Sequence, residues 1–311
     1  MSPQSAPAVE ISPPVTRTST GRVPELEDPL NHYVYHPLAF RLAKLLQPTG
    51  MSPNAVSGLS GALVCIAAVL YTGVAWPVGA LAGFGCHLLW HVADGADGDL
   101  ARLTGKASPI GEFVDGAADY LSHIFMYLLL AAMLDDGPIG VWAWPLAVFA
   151  GLSRIVQANH TETQRRQYLW RAYGVPWLRT QRDSGKSVFT EQSWFSCNSA
   201  RIMRAYLMLG EQMAPYSAPL DQALQAAVQE RRQPEARALV RASSRRSLLL
   251  QKGLGANPRT ILLGLSMIAG TPLWFFLVEA VALNGVLVAS IARNNAVERR
   301  LLATLLAARA R

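Results

Sequence analysis

The chain is poor in charged residues, and the shortage excludes an ordinary soluble enzyme. Only 16% of its 311 residues are charged, against about a quarter in a typical soluble domain. Long stretches contain no Lys or Arg at all, while the basic residues crowd between them. This distribution is typical of a polytopic membrane protein.

The chain also has few cysteines, and its N-terminal segment lacks an apolar core. The three cysteines, Cys65, Cys86 and Cys197, form no Cys-x-x-Cys pair, so neither a disulfide framework nor a zinc site is expected. Residues 1–28 are polar and rich in Pro and Ser, which predicts a disordered cytosolic tail and no signal peptide. The net charge of +7 comes from arginines flanking apolar segments, so no nucleic-acid partner is expected.

Helical periodicity predicts an all-α polytopic membrane helix bundle. An amphipathic helix over residues 29–46 has too few apolar residues to span a bilayer and is expected on its surface. About six transmembrane helices follow, at roughly 55–74, 77–96, 117–135, 139–158, 258–273 and 275–293, each near the ~20 residues that a crossing needs. The links 71–76 and 134–140 lack Lys and Arg. Both termini and the Arg102 link are therefore expected on the cytoplasmic side of the cell inner (plasma) membrane.

These assignments divide the chain into four segments. They are the tail, 1–28; the surface helix and transmembrane helices 1–4, 29–159; a polar cytosolic helical insert, 160–257; and transmembrane helices 5–6 with a basic C-terminal tail, 258–311. The insert contains a plausible helix over residues 220–246. Its charged faces are interpreted as solvated, the alternative being that its arginines rest on anionic lipid headgroups.

An acidic pattern lies at the cytoplasmic end of the second span. Seven acidic or small residues recur at helical spacing, on one face of each of two consecutive helices. They are Asp94, Asp97, Gly98 and Ala101 on the first helix, then Gly111, Asp115 and Asp119 on the second. A short turn containing Gly105 and Pro109 can fold the two helices into a hairpin. Four carboxylates are then expected to converge near the membrane boundary.

Clustered carboxylates repel one another, and one or two divalent cations would offset that repulsion. Oxygen ligands suit Mg²⁺, Mn²⁺ or Ca²⁺ rather than zinc, and a pair of metals can clamp a diphosphate. Asp119 is a candidate both for a ligand and for the general base. The small residues would let a nucleotide approach the backbone, and Arg102 can neutralise phosphate.

The pattern D-x2-D-G-x2-A-R-x8-G-x3-D-x3-D resembles the signature of the CDP-alcohol phosphotransferases at every position. The resemblance extends to residues 37–54, which are similar to the surface helix and "TPN"-type start preceding that family's first span. It implies that Asp94, Asp97, Asp115 and Asp119 bind two divalent metals, Mg²⁺ or Mn²⁺, and that Asp119 is the base. It also implies that Gly98, Ala101 and Gly111 line the cytidine nucleotide, with Arg102 nearby. The implied protein is a homodimer that catalyses attack of an alcohol on the donor's β-phosphorus and releases CMP.

The substrates are less constrained by the sequence than the reaction is. CDP-diacylglycerol with a polar acceptor is the favoured pair, and a CDP-linked headgroup with diacylglycerol is the alternative. Arg154, near the cytoplasmic end of the fourth span, is the first candidate for an acceptor's phosphate, ahead of Arg259 and Arg293. Asn159 and His160 could bind acceptor hydroxyls, or else cap a helix end; snorkelling explains the arginines equally well.

Two other classes compete with this interpretation. Intramembrane prenyltransferases carry paired Asp-rich motifs far apart in sequence, whereas both halves here lie within residues 94–119. A metal transporter would need acids at mid-membrane on several helices, and only Glu279 stands apart from the cluster. His87 and His91 share roughly the face of Asp94 but are predicted to pack inside the bundle rather than to bind metal.

Overall fold

A computed structural model describes residues 23–175, 205, 208–229 and 232–309. Within these ranges the chain is helical and contains no strand, which confirms the all-α prediction. The helices are α1 (His36–Leu46), α2 (Pro53–Gly73), α3 (Val78–Thr104), α4 (Pro109–Asp135), α5 (Ala143–Tyr173), α6 (Ser217–Gln229), α7 (Gln233–Gly253), α8 (Ala256–Ile268), α9 (Leu273–Leu277) and α10 (Leu283–Arg309). A π-helical turn, Asn31–Tyr35, precedes α1, and another, Val278–Ala282, joins α9 to α10.

Several helices are long and apolar enough to cross a membrane, which makes this a multi-pass membrane protein. In the described ranges, four stretches meet the requirement: Pro53–Gly73, Phe113–Asp135, Gly140–Tyr173 and Leu273–Arg309. They correspond to the predicted first, third, fourth and sixth spans. The predicted second span lies in α3, where His87, His91 and the acidic residues dilute the apolar ones. The predicted fifth lies in α8, which has only 13 residues.

The predicted surface helix is present, and small residues pack it closely against α3. Ala39 and Ala43 are fully buried. A Cβ added to Gly95 of α3 would lie 3.0 Å from the Cβ of Ala39, so the two helices meet at a glycine contact. Tyr33 and Leu45 point outward and are 77% and 71% exposed. An apolar side chain so exposed is suited to a lipid surface.

The turn between α3 and α4 forms the hairpin that the sequence predicts. Gly105 ends α3 with φ 67°, a left-handed conformation that glycine adopts without steric cost. The Ser108 side chain then accepts a hydrogen bond from the Gly111 N–H at 3.0 Å, and Pro109 occupies the first turn of α4. These residues start and stop the two helices that carry the acidic pattern.

A buried ion pair joins α8 to the π-helical turn before α10. Arg259 Nε lies 3.1 Å from Glu279 Oε1, and the two side chains are 4% and 0% exposed. Arg259 Nη2 also donates to Gln157 Oε1 of α5 at 2.6 Å. The pair accounts for Glu279, for which the sequence offered no partner, and it engages Arg259, which was a candidate for binding the acceptor.

The insert differs from its prediction in two respects. Helix α5 continues to Tyr173, so the predicted boundary at residue 159 falls inside a helix. The single helix predicted over 220–246 is two helices, because Pro234 begins α7 in its first turn and Pro has no N–H to continue a helix through it.

The described part of the insert is also more than a solvated appendage. Helices α6 and α7 share a buried apolar cluster with α5 and α10, formed in part by Tyr168, Leu220, Val240 and Leu301. Arg171 of α5, itself 6% exposed, lies 2.6 Å both from Asp221 of α6 and from Glu298 of α10. The apolar faces of α6 and α7 are therefore packed against the bundle, and the predicted basic C-terminal tail is helical as far as Arg309.

Candidate active site

The four aspartates of the acidic pattern come together across the α3–α4 hairpin. The carboxylates of Asp97 and Asp115 lie close enough to interact across the hairpin. Asp94 lies among the negative charges of Asp97, Asp115 and Asp119, all of which repel it. Asp97 is buried, and the other three are half-buried. Residues spaced i, i+3 and i, i+4 lie on one face of a helix, so the aspartates of each helix share the face that is turned toward the other helix.

The N-terminal end of α2 supplies a third wall of this cluster. Ser57 Oγ donates a hydrogen bond to Asp97 Oδ2 at 2.5 Å, and Ser57 is only 2% exposed. One turn earlier, Asn54 faces Gly111, because a Cβ on that glycine would lie 3.7 Å from Asn54 Oδ1. Sequence reasoning missed Ser57 as a site residue. The available signal was the run of small or polar residues at 54, 57 and 61 on one helical face.

Arg102 is held beside Gly98 by an acidic neighbour. Its Nη2 donates to Asp99 Oδ1 at 2.5 Å, and the Asp99 side chain is 1% exposed while that of Arg102 is 50% exposed. A Cβ on Gly98 would lie 3.5 Å from Arg102 Nη1. The flexible guanidinium therefore lies beside the glycine, on the side of α3 where half-buried Ala101 also lies.

His123 contacts Asp119 one turn further along α4. Its Nδ1 lies 3.0 Å from Asp119 Oδ1 and 2.8 Å from the Asp119 carbonyl oxygen. The His123 ring packs edge-on against Trp90, with centroids 4.8 Å apart. Sequence reasoning did not select His123, although a carboxylate followed by histidine at i+4 was a readable signal.

The residues that the sequence predicted to bind the acceptor alcohol lie in different parts of the structure. Arg154 lies near Tyr127, and the charges of Asp119 and Glu279 act on its guanidinium. Its cation is therefore within the electrostatic range of Asp119, one member of the acidic cluster. Asn159 and His160 are buried at 0% and 1% exposure, and His160 Nε2 is 3.0 Å from Ser290 Oγ of α10. Asn159 and His160 therefore lie where α5 packs against other helices. Arg293 is exposed on α10.

His87 and His91 pack inside the bundle, as predicted. His91 Nε2 lies 2.8 Å from Thr260 Oγ1 of α8, and the His91 ring stacks on Tyr35 at 4.7 Å. His87 is 2% exposed and packs against Trp90, with centroids 5.5 Å apart. The two histidines therefore connect α3 to α8 and to the turn before α1.

The chemistry of the donor set suits a hard divalent cation. No group of three or more His, Cys, Asp or Glu stands at metal-binding geometry in the ranges that the structure describes. Asp97 and Asp115 nevertheless bring two carboxylates close together, and a cation between them would relieve their repulsion. Carboxylate oxygens are the ligands that Mg²⁺ and Mn²⁺ prefer, so the residues present fit such an ion.

The region that carries the acidic pattern is similar to known proteins. Residues 51–174 match the sequence model of the CDP-alcohol phosphatidyltransferase family. Two curated relatives are each named ethanolaminephosphotransferase 1. The one from Mus musculus is 26% identical over 131 residues, covering 37% of this chain and 32% of the relative. The one from Pongo abelii is 26% identical over 132 residues with the same coverage.

The similarity to the CDP-alcohol phosphatidyltransferase family covers residues 51–174, which is less than half of the chain. The family segment begins just before α2 and ends at Gly174, which follows the last residue of α5. It contains the four aspartates, Ser57, His123 and Arg154, whereas α6 to α10 lie outside it. This chain spans about a third of the length of the curated relatives that it matches.

Proposed function

We propose that this chain transfers a substituted phosphate group from a CDP-linked donor to the hydroxyl of an alcohol and releases CMP. The observation that carries the proposal is the contact of Asp97 with Asp115 across the α3–α4 hairpin, inside the segment that matches the family. Asp94 and Asp119 lie beside this contact. Four carboxylates at one end of a membrane bundle are expensive to desolvate, and such residues are as a rule functional.

In the proposed reaction, Asp94, Asp97, Asp115 and Asp119 hold two divalent ions, Mg²⁺ or Mn²⁺. When bound, these ions would supply positive charge to the diphosphate and its transition state. Asp119 accepts the proton of the acceptor hydroxyl. The hydroxyl oxygen bonds to the β-phosphorus, the bond from that phosphorus to the bridging oxygen breaks, and CMP leaves with the bridging oxygen.

The remaining residues of the pattern position the donor. Gly98, Ala101 and Gly111 are proposed to line the cytidine nucleotide, because they leave the backbone of both helices open to close approach. Arg102, fixed by Asp99 on the side of Gly98, is placed to neutralise a donor phosphate. Ser57 orients Asp97 from α2.

Two donors are compatible with this site. The sequence favoured CDP-diacylglycerol with a polar acceptor, and Arg154, close to Asp119, is the cation that a phosphorylated acceptor would need. The relatives' name, ethanolaminephosphotransferase 1, favours the alternative, a CDP-linked headgroup with a lipid acceptor. The proposal also includes a homodimer in the cell inner (plasma) membrane, with both termini and the active site on the cytoplasmic side.

The experiment that tests the function is CMP release by purified protein in detergent, with Mg²⁺, with Mn²⁺ and with EDTA. CDP-diacylglycerol and CDP-headgroup donors are offered separately, each against a panel of polar and lipid alcohols. Metal-dependent CMP release with one donor class supports the reaction and identifies the donor. Absence of CMP release from every pair, in protein that remains folded, would contradict the proposal.

Ser57→Ala is expected to weaken Mg²⁺ activation without preventing folding. The variant removes the hydrogen bond to Asp97 Oδ2, and losing a partner of a ligating group typically lowers metal affinity or activity by about 10–100-fold. The measurement is the Mg²⁺ concentration for half-maximal CMP release. Ser60→Ala is the matched control, because Ser60 Oγ donates to the Ser57 carbonyl oxygen and not to an aspartate. Equal behaviour of the two variants would contradict the role given to Ser57.

A further inference from the structure

The Asp119–His123 contact defines which ring nitrogen of His123 carries hydrogen. Nδ1 lies 2.8 Å from the carbonyl oxygen of Asp119 and 3.0 Å from its Oδ1. A backbone carbonyl can only accept a hydrogen bond, and so can an ionised carboxylate. Nδ1 must therefore carry the hydrogen that is donated to the Asp119 carbonyl oxygen. Oδ1 of Asp119 lies 3.0 Å from the same nitrogen without the geometry of a hydrogen bond, so the polar N–H attracts that oxygen electrostatically.

The ring that presents this donor is held on its other side by aromatic neighbours from α3. Trp90 packs edge-on against His123 at 4.8 Å, and His87 lies tilted at 5.7 Å. The His123 side chain is 5% exposed. A buried ring in contact with two others has little freedom to turn, so its N–H keeps one direction relative to Asp119.

We infer that His123 is a positioning residue for Asp119: its Nδ1–H fixes the orientation of that carboxylate toward the acceptor hydroxyl. The inference rests on the proposed function, in which Asp119 is a ligand and the base. A carboxylate on a half-buried helix face can rotate about its Cβ–Cγ bond, and a fixed polar N–H 3.0 Å from Oδ1 attracts that oxygen and restricts the rotation. Hydrogen-bond partners of ligating carboxylates commonly have this function.

The test separates the donor from the ring. His123→Phe keeps an aromatic ring against Trp90 and removes the donor, whereas His123→Asn keeps an N–H near the position of Nδ1 and removes the ring. His87→Phe is the control, because it makes the same substitution in the same aromatic group, and the described contacts of His87 are with rings and with Thr260. Should His123→Phe fail to fold, His123→Leu is a second donor-free variant.

Two readouts are used: kcat and KM for the CDP-linked donor, and the dissociation constant for Mn²⁺ measured by electron paramagnetic resonance. His123→Phe is expected to lower kcat by about 10–100-fold and to weaken Mn²⁺ binding, with KM changed by less than about threefold. His123→Asn and His87→Phe are expected to stay within about fivefold of the unsubstituted protein on both readouts, since each keeps a donor to Asp119.

The outcomes distinguish this inference from the proposed function. If the unsubstituted protein releases no CMP from any donor, the function fails, and the Mn²⁺ measurement still decides the role of His123. If His123→Phe matches the unsubstituted protein, or if His123→Asn loses as much as His123→Phe, the donor is irrelevant and the inference is overturned.

Discussion

Asp119→Asn is expected to lower the rate of CMP release by about 10²–10⁴-fold, the contribution typical of a general base. The amide cannot take a proton from the acceptor hydroxyl, although it keeps the size and one oxygen of the carboxylate. Binding of the CDP-linked donor should largely survive, because Asp94, Asp97 and Asp115 remain. The measurement pairs the initial rate with a calorimetric dissociation constant for the donor.

The control for this variant lies at the other end of the same helix. Asp135→Asn makes the same substitution in α4, where Asp135 accepts a hydrogen bond from Trp144 Nε1 at 3.0 Å. An amide oxygen can accept that bond equally well, so the rate of CMP release should be unchanged. If donor binding were lost together with turnover in Asp119→Asn, Asp119 would be needed for binding and its assignment as the base would lose its support.

Arg259→Met is expected to destabilise the bundle by about 3–5 kcal/mol, because it leaves the Glu279 carboxylate buried without its cation. Arg259 also donates to the Leu254 carbonyl oxygen at 2.6 Å and to Gln157, so the variant orphans acceptors on two further segments. The measurement is the free energy of unfolding in detergent, or the corresponding fall in Tm.

The double variant Arg259→Met with Glu279→Leu tests whether the loss comes from the uncompensated charge. It removes both charges, and replacing a buried pair by apolar residues is often nearly neutral, so most of the stability should return. Arg165→Met serves as the exposed comparison: it breaks the pair with Glu162 on the surface of α5, where the effect should stay below about 1 kcal/mol. A double variant as unstable as Arg259→Met alone would contradict the account.

The sequence predicted the α3–α4 hairpin correctly because its determinants are local. Gly105, Ser108 and Pro109 specify the turn within five residues, and the aspartates follow helical spacing on either side of it. Convergence of the carboxylates then needs only two adjacent helices. Such features depend on no contact distant in the chain, so a single sequence is enough to find them.

The partners of the site were harder to predict because they come from distant segments or from ambiguous residue types. Ser57 reaches Asp97 across 40 positions, and serine in an apolar helix is unremarkable by itself. Glu279 finds Arg259 only because the turn at Gly270 (φ 89°) reverses the chain between α8 and α9. The spacing of His123 four residues after Asp119 can be seen in the sequence, yet a histidine in an apolar span is more often part of the packing than of a functional site.

The packing of the insert against the bundle was not predicted, for a related reason. Its apolar residues, such as Leu220 and Val240, are sparse in each helix and form a core only when α6 and α7 meet α5 and α10. Composition alone therefore favours a solvated segment. The Arg171 contacts to Asp221 and Glu298 join three helices that are remote in sequence, and no pattern within any one of them indicates the pairing.

The central claim is that the aspartate cluster performs metal-dependent transfer from a CDP-linked donor, and the most direct test compares CMP release by the unsubstituted protein and by Asp97→Ala during Mg²⁺ titration. Asp97 is the buried member of the cluster that contacts both Ser57 and Asp115. The account predicts saturable Mg²⁺ activation in the unsubstituted protein and no CMP release above background in folded Asp97→Ala at any Mg²⁺ concentration. CMP release that persists in Asp97→Ala, or that is unaffected by EDTA in the unsubstituted protein, would contradict it.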